Sequence, residues 1–153
     1  MAAASVSFDL REIDEVRKML ARAALDTNDR QRLLGKIGEQ AVSQTQERFS
    51  TKKDPEGNTW KALADKTKAR YSRMGKDTES ILNFEGYLQL TVINNVEDGG
   101  WSVLVGSVME YAAVHQFGFE EKGIPKRPYL GISTDNAKNI TALVSEFLNR
   151  RLK

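Results

Sequence analysis

The spacing of apolar residues changes twice along this chain, and that change limits its fold more than any other feature. Apolar residues recur every three or four positions from Leu34 to Phe49, which predicts a long helix with one apolar face. Between residues 87 and 106 the chain is rich in β-branched and aromatic residues, which favours strands. Helical spacing returns from Ile140 to Leu152. This order predicts an α+β domain in which N-terminal helices and a C-terminal helix pack on a small antiparallel β-sheet.

Polar residues predict where the first and last helices begin. Asp9 and Glu12 have the spacing of a capping box, so a first helix is expected over about residues 10–25. Ser133 or Thr134 is expected to cap the last helix, because a short hydroxyl side chain accepts a hydrogen bond from the first free N–H groups. These signals predict helices on both sides of the strand-rich region.

The strand-rich region predicts a hairpin. Residues 87–92 and 101–106 are expected to be its two strands, with Asp98 and Gly99 in the turn between them. Residues 129–132 are expected to add a further strand. The sheet of this chain is therefore predicted to be small.

The composition excludes several classes of protein. The chain has no cysteine, so it has no disulfide, no thiol nucleophile and no thiolate metal site. Its first residues have neither a basic region nor an apolar run, so no signal peptide is expected. No apolar run approaches the roughly 20 residues that a membrane helix needs, so no membrane partner is expected. The length predicts a single domain over residues 1–153.

Positive charge is concentrated between residues 52 and 76, where eight basic residues stand against three acidic ones, a local balance of +5. The basic residues are Lys52, Lys53, Lys61, Lys66, Lys68, Arg70, Arg73 and Lys76. We expect residues 51–79 to form a flexible basic loop region with a short helix near 65–72. Trp60 and Tyr71 offer stacking surfaces for nucleic acid, but an acidic protein neighbour would use the same cations and is the favoured interpretation.

The chain has one histidine, His115, in the octapeptide YAAVHQFG. A general base needs a nucleophile or an orienting carboxylate within reach, and no nucleophile motif is present. A zinc site needs further ligands, and the sequence contains no HExxH, no EF-hand loop and no phosphate-binding glycine motif. The sequence therefore predicts no enzyme, no cofactor and no metal. His115 is expected to hold a helical turn that Gly118 ends.

Four segments of this chain, in their order, resemble the phage virion morphogenesis family, the tail completion proteins of Mu-like and related tailed phages. They are FSTKKDPEGNTWKALADKT (49–67), ILNFEGYLQLTV (81–92), VGSVMEYAAVHQFG (105–118) and IPKRPYLGIS (124–133). The most specific feature is the pairing of YAAVHQFG with RPYLG. The segment between Gly118 and Arg127 is shorter than in many relatives. The resemblance extends from about Leu33 to the C-terminus.

The resemblance implies a non-enzymatic protein, encoded by a phage or prophage, that completes the tail and makes it competent for head–tail joining. A ring-forming homo-oligomer is expected, with other tail and head–tail connector proteins as partners. The location would be the virion, and the host cytoplasm during assembly. The structural or interface candidates are Tyr111, His115, Gln116, Phe117, Arg127 and Tyr129. Four of them supply the aromatic and arginine types that anchor protein contacts, and we expect those four at the edge of the sheet. A small basic nucleic-acid-binding module is the alternative.

Overall fold

The computed structural model of the chain describes residues 4–9 and 13–151. In chain order the elements are β1 (Ala4–Asp9), α1 (Asp14–Ala23), α2 (Thr27–Thr51), α3 (Asp65–Arg73), α4 (Tyr87–Leu90), β2 (Val92–Glu97), β3 (Ser102–Ser107), α5 (Ala112–Phe117) and α6 (Thr134–Arg151). A short 3-10 turn, Glu120–Lys122, follows α5. The predicted α+β class is confirmed. In the described part of the chain, none of the helices has the length and apolar character required to cross a membrane.

The sheet has three antiparallel strands in the order β1-β3-β2, so β3 lies in the centre and is buried over most of its length. The predicted turn is confirmed, since Asp98, Gly99 and Gly100 all have positive φ. The predicted strand over residues 87–92 is wrong: Tyr87–Leu90 is a helical turn and the strand begins at Val92. The strand β1 was not predicted.

The helices differ from the predictions mainly at their ends. The first helix begins at Asp14, after the predicted capping residue Asp9, which belongs to β1; Glu12 lies outside the described residues. The predicted cap of the last helix is confirmed, because the Asn136 N–H donates to Ser133 Oγ (3.0 Å). The Ser133 N–H in turn donates to Asn136 Oδ1 (3.1 Å), which completes a reciprocal cap. The short helix predicted near residues 65–72 is confirmed as α3.

Contacts divide the described residues into two compact units. One, which we call the motif unit, comprises residues 4, 45–92 and 107–131. The other, which we call the sheet unit, comprises residues 5–9, 13–44, 93–106 and 132–151. The division falls within α2, which contributes to both. The single domain over 1–153 and the flexibility of 51–79 stay predictions.

The core of the sheet unit includes the apolar face of α2. Leu33, Leu34 and Ile37 are at most 1 % exposed, and Val103 of β3 is fully buried. Helix α1 packs against α6, where Val144 is fully buried. The apolar spacing that predicted α2 and α6 is therefore the spacing of this core.

Gly38→Ala is expected to lower the free energy of unfolding by up to about 2 kcal/mol. A Cβ at Gly38 would lie 2.4 Å from Asn94 Oδ1 and 2.9 Å from Asn94 Cβ, so β2 or α2 must shift. That overlap costs about 1–3 kcal/mol and exceeds the gain of about 1 kcal/mol in helix propensity. The measurement is urea unfolding of the intact chain. Gly35→Ala in the same helix is the control, because a Cβ there meets nothing within 4 Å and the substitution should stabilise the protein. If both substitutions destabilise the protein, the overlap with Asn94 does not explain the effect at Gly38.

Candidate functional site

The octapeptide YAAVHQFG forms α5 and its C-terminal stop. The helix spans Ala112–Phe117, and the Gly118 N–H donates to the Val114 carbonyl (2.8 Å). Gly118 has φ 80° and ψ 171°, a combination that is essentially restricted to glycine. The prediction of one helical turn ended by Gly118 is confirmed.

Gln116 connects α5 to the RPYLG segment. Its Oε1 accepts hydrogen bonds from the backbone N–H groups of Tyr129 and Leu130, both at 3.0 Å. Its Nε2 donates to the Leu130 carbonyl (3.1 Å), and the side chain is buried. One amide therefore satisfies three backbone groups. The strand predicted over residues 129–132 is wrong because this segment pairs with a side chain and not with a strand.

Arg127 connects the RPYLG segment to the chain that follows Trp60. Its Nε donates to the Lys61 carbonyl (2.7 Å) and its Nη2 to the Ala62 carbonyl (2.9 Å). The Trp60 indole N–H donates in the opposite direction, to the Pro128 carbonyl (2.8 Å). Residues more than 60 positions apart are therefore held by three side-chain-to-backbone hydrogen bonds.

Tyr129 is the centre of this arrangement and is fully buried. Its hydroxyl donates to the Ala112 carbonyl (3.1 Å), and its carbonyl accepts from Arg48 Nη1 (2.7 Å). Its ring lies 5.5 Å from Phe49, which makes an edge contact with Trp60 at 5.6 Å. Burial raises the pKa of the Tyr129 hydroxyl, and the nearby Tyr111 raises it further. The motif residues therefore form the core of the motif unit.

The six candidate residues fall into two groups. Gln116, Arg127 and Tyr129 are at most 8 % exposed. The prediction that Arg127 and Tyr129 lie at the edge of the sheet as contact residues is therefore wrong. Both side chains are buried and bind backbone groups of their own chain. Tyr111 and His115 are half-buried, and Phe117 is 68 % exposed. The sequence alone does not show whether an arginine or a tyrosine is buried in the core or exposed for contact with another protein.

His115 lies edge-on to Tyr111, with 5.8 Å between the ring centroids. The backbone carbonyl of His115 accepts from the Arg127 N–H (2.8 Å), but its buried ring Nδ1 has no hydrogen-bond partner among the described residues. The turn is therefore held through the backbone of His115 and not through Nδ1. Burial lowers the pKa of the imidazole, and the positive charge of Arg127 lowers it further. Among residues 4–9 and 13–151, no group of three His, Cys, Asp or Glu side chains is arranged to hold a metal ion.

Stability is expected to fall as the pH is lowered from about 7.5 to about 5.5. The unfolded chain takes up a proton near the ordinary histidine pKa of 6.5, whereas the folded chain resists it. The unfolded state therefore binds more protons, with a slope of at most about 1.4 kcal/mol per pH unit. Because His115 is the only histidine, His115→Gln should remove this slope in urea unfolding measured across the range. The same slope in both proteins would refute the assignment.

A groove of about 650 Å³ opens beside His115, within the motif unit. Its walls carry aromatic rings and basic side chains from α3, from the segment before α4, and from residues 111–127. The lining includes Lys66, Arg70, Tyr71, Phe84, Glu85, Tyr87, Tyr111, His115, Lys122 and Arg127. Its single carboxylate, on Glu85, is paired with Lys76 at 3.1 Å. The groove therefore presents an excess of positive charge.

The sequence family is decided by a match over nearly the whole chain. The model of the phage virion morphogenesis family matches residues 11–149. The chain belongs to the phage virion morphogenesis family. The resemblance carried by the four sequence segments is thereby confirmed, and the chain is placed among the proteins of phage virion assembly.

Relatives of this virion morphogenesis protein come from phage, bacterial and archaeal sources. It is 29% identical to the putative capsid assembly protein G of Escherichia phage Mu over 157 residues, which covers 97% of this chain and 99% of the relative. It is 28% identical to the Mu-like prophage FluMu G protein 1 of Haemophilus influenzae over 145 residues, 95% of this chain and 92% of the relative. An uncharacterized protein of Methanocaldococcus jannaschii is 28% identical over 93 residues, covering 60% of this chain and 69% of the relative. No solved structure matches the chain.

Sequence reasoning missed part of the exposed apolar surface of this virion morphogenesis protein. Tyr87, Leu90 and Val108 are 57 %, 72 % and 68 % exposed. The sequence predicts a strand over residues 87–92, in which alternate side chains are buried, so the joint exposure of Tyr87 and Leu90 differs from the prediction. The glycine at residue 86, with φ 81° immediately before α4, is a signal that the chain turns there.

Proposed function

We propose that this chain is a non-enzymatic assembly protein that completes the phage tail, makes it competent for head–tail joining, and acts as a subunit of a ring. Membership of the virion morphogenesis family supports the assembly role. The observation that carries the proposal is the exposure of large apolar side chains on the motif unit, whose polar motif residues are buried. The side chains of Gln116, Arg127 and Tyr129 are therefore engaged within the chain, and the exposed apolar side chains are the ones available to another protein.

Two of these exposed side chains flank a hydrogen bond. Thr91 Oγ1 and Ser107 Oγ are 2.8 Å apart, and their chain neighbours are Leu90 and Val108. Exposed apolar side chains that lie together are typical of protein–protein contact sites, because burying them in a complex removes them from water. We call Tyr87, Leu90 and Val108 the apolar patch and propose it as a contact surface for tail and connector proteins in the virion.

A capsid assembly role is the second candidate, because the relative from Escherichia phage Mu is named a putative capsid assembly protein. The two roles predict different particles when the protein is missing. Loss of a tail completion protein leaves DNA-filled heads and separate, unjoined tails. Loss of a capsid assembly protein leaves heads that are aberrant or empty.

The nucleic-acid alternative rests on the basic stretch. Two of its eight cations are occupied within the chain, since Lys68 and Lys76 each pair with a carboxylate at 3.1 Å. The pairing lowers the positive charge that remains for phosphates. A DNA shift assay over a range of salt separates the alternatives, because phosphate binding through several cations weakens steeply with salt. Strong, steeply salt-dependent binding would favour the nucleic-acid module.

The proposal is tested in a phage or prophage from which the gene has been deleted. We expect electron micrographs of the lysate to show full heads and unjoined tails, and added wild-type protein to restore joined particles. Aberrant heads with normal tail ends would instead identify a capsid role. The double variant Leu90→Lys with Val108→Lys should fold normally, because exposed changes usually alter stability by less than about 0.5 kcal/mol.

The double variant is expected to lower the number of joined particles at least tenfold. Replacing a side chain that is buried in the contact by a charged one weakens binding by more than about 1.4 kcal/mol, which corresponds to a factor of ten. Ile93→Lys is the matched control, because Ile93 is 56 % exposed but lies on β2 in the sheet unit. Equal activity of the double variant and the control would refute the apolar patch as the contact surface.

A further inference from the structure

The groove of the motif unit has the chemistry of a docking site for an acidic segment. Lys66 and Arg70 of α3 line it, and neither forms an ion pair within the described residues. The Arg70 guanidinium lies 5.8 Å from the Tyr71 ring and 5.9 Å from the Phe84 ring. A guanidinium held by ring faces keeps its N–H edges for a carboxylate. The groove has a volume of about 650 Å³, so it can hold an aromatic side chain in addition to the carboxylate.

The same unit carries a short hairpin with exposed acidic side chains, and an exposed phenylalanine precedes it. Phe119 and Ile124 exchange two backbone hydrogen bonds (2.8 and 3.0 Å), which close a small hairpin around the turn Glu120–Lys122. Glu120 and Glu121 are exposed and form no ion pair with any residue that the structure describes. Phe117, just before the hairpin, is the most exposed aromatic of the described chain at 68 %. Because the hairpin is closed by its own hydrogen bonds, it needs little ordering before it binds.

We infer that the hairpin of one copy docks into the groove of the next copy. Glu120 and Glu121 would pair with Lys66 and Arg70 of the neighbour, and Phe117 would enter the aromatic part of its groove. The hairpin of each copy also lines its own groove through Lys122, Gly123 and Ile124, so the docked contact joins Glu120 and Glu121 of one copy to the α3 side of the next groove. These are different parts of the surface, so the contact is heterologous and repeats from copy to copy. The inference rests on the proposed ring and gives it a specific contact. Charge complementarity favours a second copy over nucleic acid, because the chain supplies an acidic surface for its own basic groove.

Charge reversal tests the contact in the purified full chain. Lys66→Glu with Arg70→Glu makes a groove variant, and Glu120→Lys with Glu121→Lys makes a hairpin variant. Each alone is expected to raise the concentration needed for multimers at least tenfold, as measured by light scattering. A mixture of the two should assemble again, because each reversed hairpin then matches a reversed groove. Lys36→Glu with Lys18→Glu is the control for net charge, since both lysines are exposed and lie in the sheet unit.

Cross-linking tests the contact in assembled particles, where weak contacts are held together. The chain has no cysteine, so a tagged Lys66→Cys chain and an untagged Glu121→Cys chain carry one thiol each. Co-expressed during phage assembly and oxidised, they should give a covalent heterodimer at least tenfold more abundant than either homodimer. No excess of the heterodimer in tails that join heads would overturn the inference and leave the proposed function intact.

Two further results would also overturn it. One is normal assembly of both charge-reversal variants. The other is a groove variant that loses binding to a single-stranded DNA oligonucleotide while the heterodimer is absent, which would identify the groove as a nucleic-acid site. Failure of the proposed function appears separately, as joined particles in the gene-deleted phage without added protein.

Discussion

Gly118→Ala is expected to lower the free energy of unfolding by about 2–6 kcal/mol, the sum of a backbone and a packing term. At φ 80° and ψ 171° an alanine is strained. Its Cβ would also lie 2.8 Å from the Lys126 nitrogen and 3.1 Å from the Ile124 carbonyl oxygen. Both neighbours are backbone atoms of the segment that follows α5, so neither can rotate away. The measurement is urea unfolding followed by tryptophan fluorescence.

Gly123→Ala is the matched control in the same segment. Gly123 has φ 64° and ψ 26°, the ordinary left-handed region, and its Cβ would meet nothing within 4 Å. Only the backbone term applies, so the expected loss is about 1–2 kcal/mol. Equal losses for the two variants would show that the contact with Lys126 and Ile124 is not what makes position 118 demanding.

Gln116→Leu is expected to cost at least about 3 kcal/mol, since each buried polar group left without a partner costs about 1–3 kcal/mol. The substitution keeps an apolar stem but removes the partners of the Tyr129 N–H, the Leu130 N–H and the Leu130 carbonyl. Because small domains are stable by only about 5–15 kcal/mol, the variant should be partly unfolded at 37 °C or close to it. Thermal unfolding followed by circular dichroism measures the effect.

Two comparisons show which part of Gln116 matters. Gln116→Glu keeps an acceptor for the two N–H groups and donates to the Leu130 carbonyl only when protonated, so at acidic pH its loss should be smaller than that of leucine at the same pH. Gln31→Leu makes the same glutamine-to-leucine change at an exposed position of α2 and should alter stability by less than about 0.5 kcal/mol. A Gln116→Leu protein as stable as the Gln31→Leu control would contradict the assigned role.

The parts of the fold that depend on local sequence were predictable. Helix α2 follows from its apolar spacing, the β-turn from Asp98-Gly99, and the last helix from the cap at Ser133. The segment Tyr87–Leu90 was not, because aromatic and branched residues favour a strand only weakly and a local turn overrides that preference. The segment ASVSFD alternates apolar and polar residues, so strand β1 had a local signal that the prediction did not use, although its pairing with β3 is set by the tertiary fold.

The site was predictable as a set of residues but not as an arrangement. The resemblance selected Gln116 and Arg127, yet the bonds of Arg127 reach residues 65 and 66 positions earlier, and no local pattern encodes such a pairing. Burial was the property that sequence reasoning could not assign. An arginine reaches a buried site only where hydrogen-bond acceptors replace its water, and for Arg127 those acceptors are backbone carbonyls that the tertiary fold supplies.

The side-chain-to-backbone hydrogen bonds of the motif unit determine which of its residues can be substituted. Arg127, Gln116 and the Trp60 indole all bind main-chain groups of their partners. Every residue except proline offers the same carbonyl and N–H, so exposed partners such as Lys61 and Ala62 are free to change without loss of a bond. In each of these hydrogen bonds, we therefore expect the residue that contributes its side chain to tolerate few substitutions. The residue that contributes only a backbone group should tolerate many.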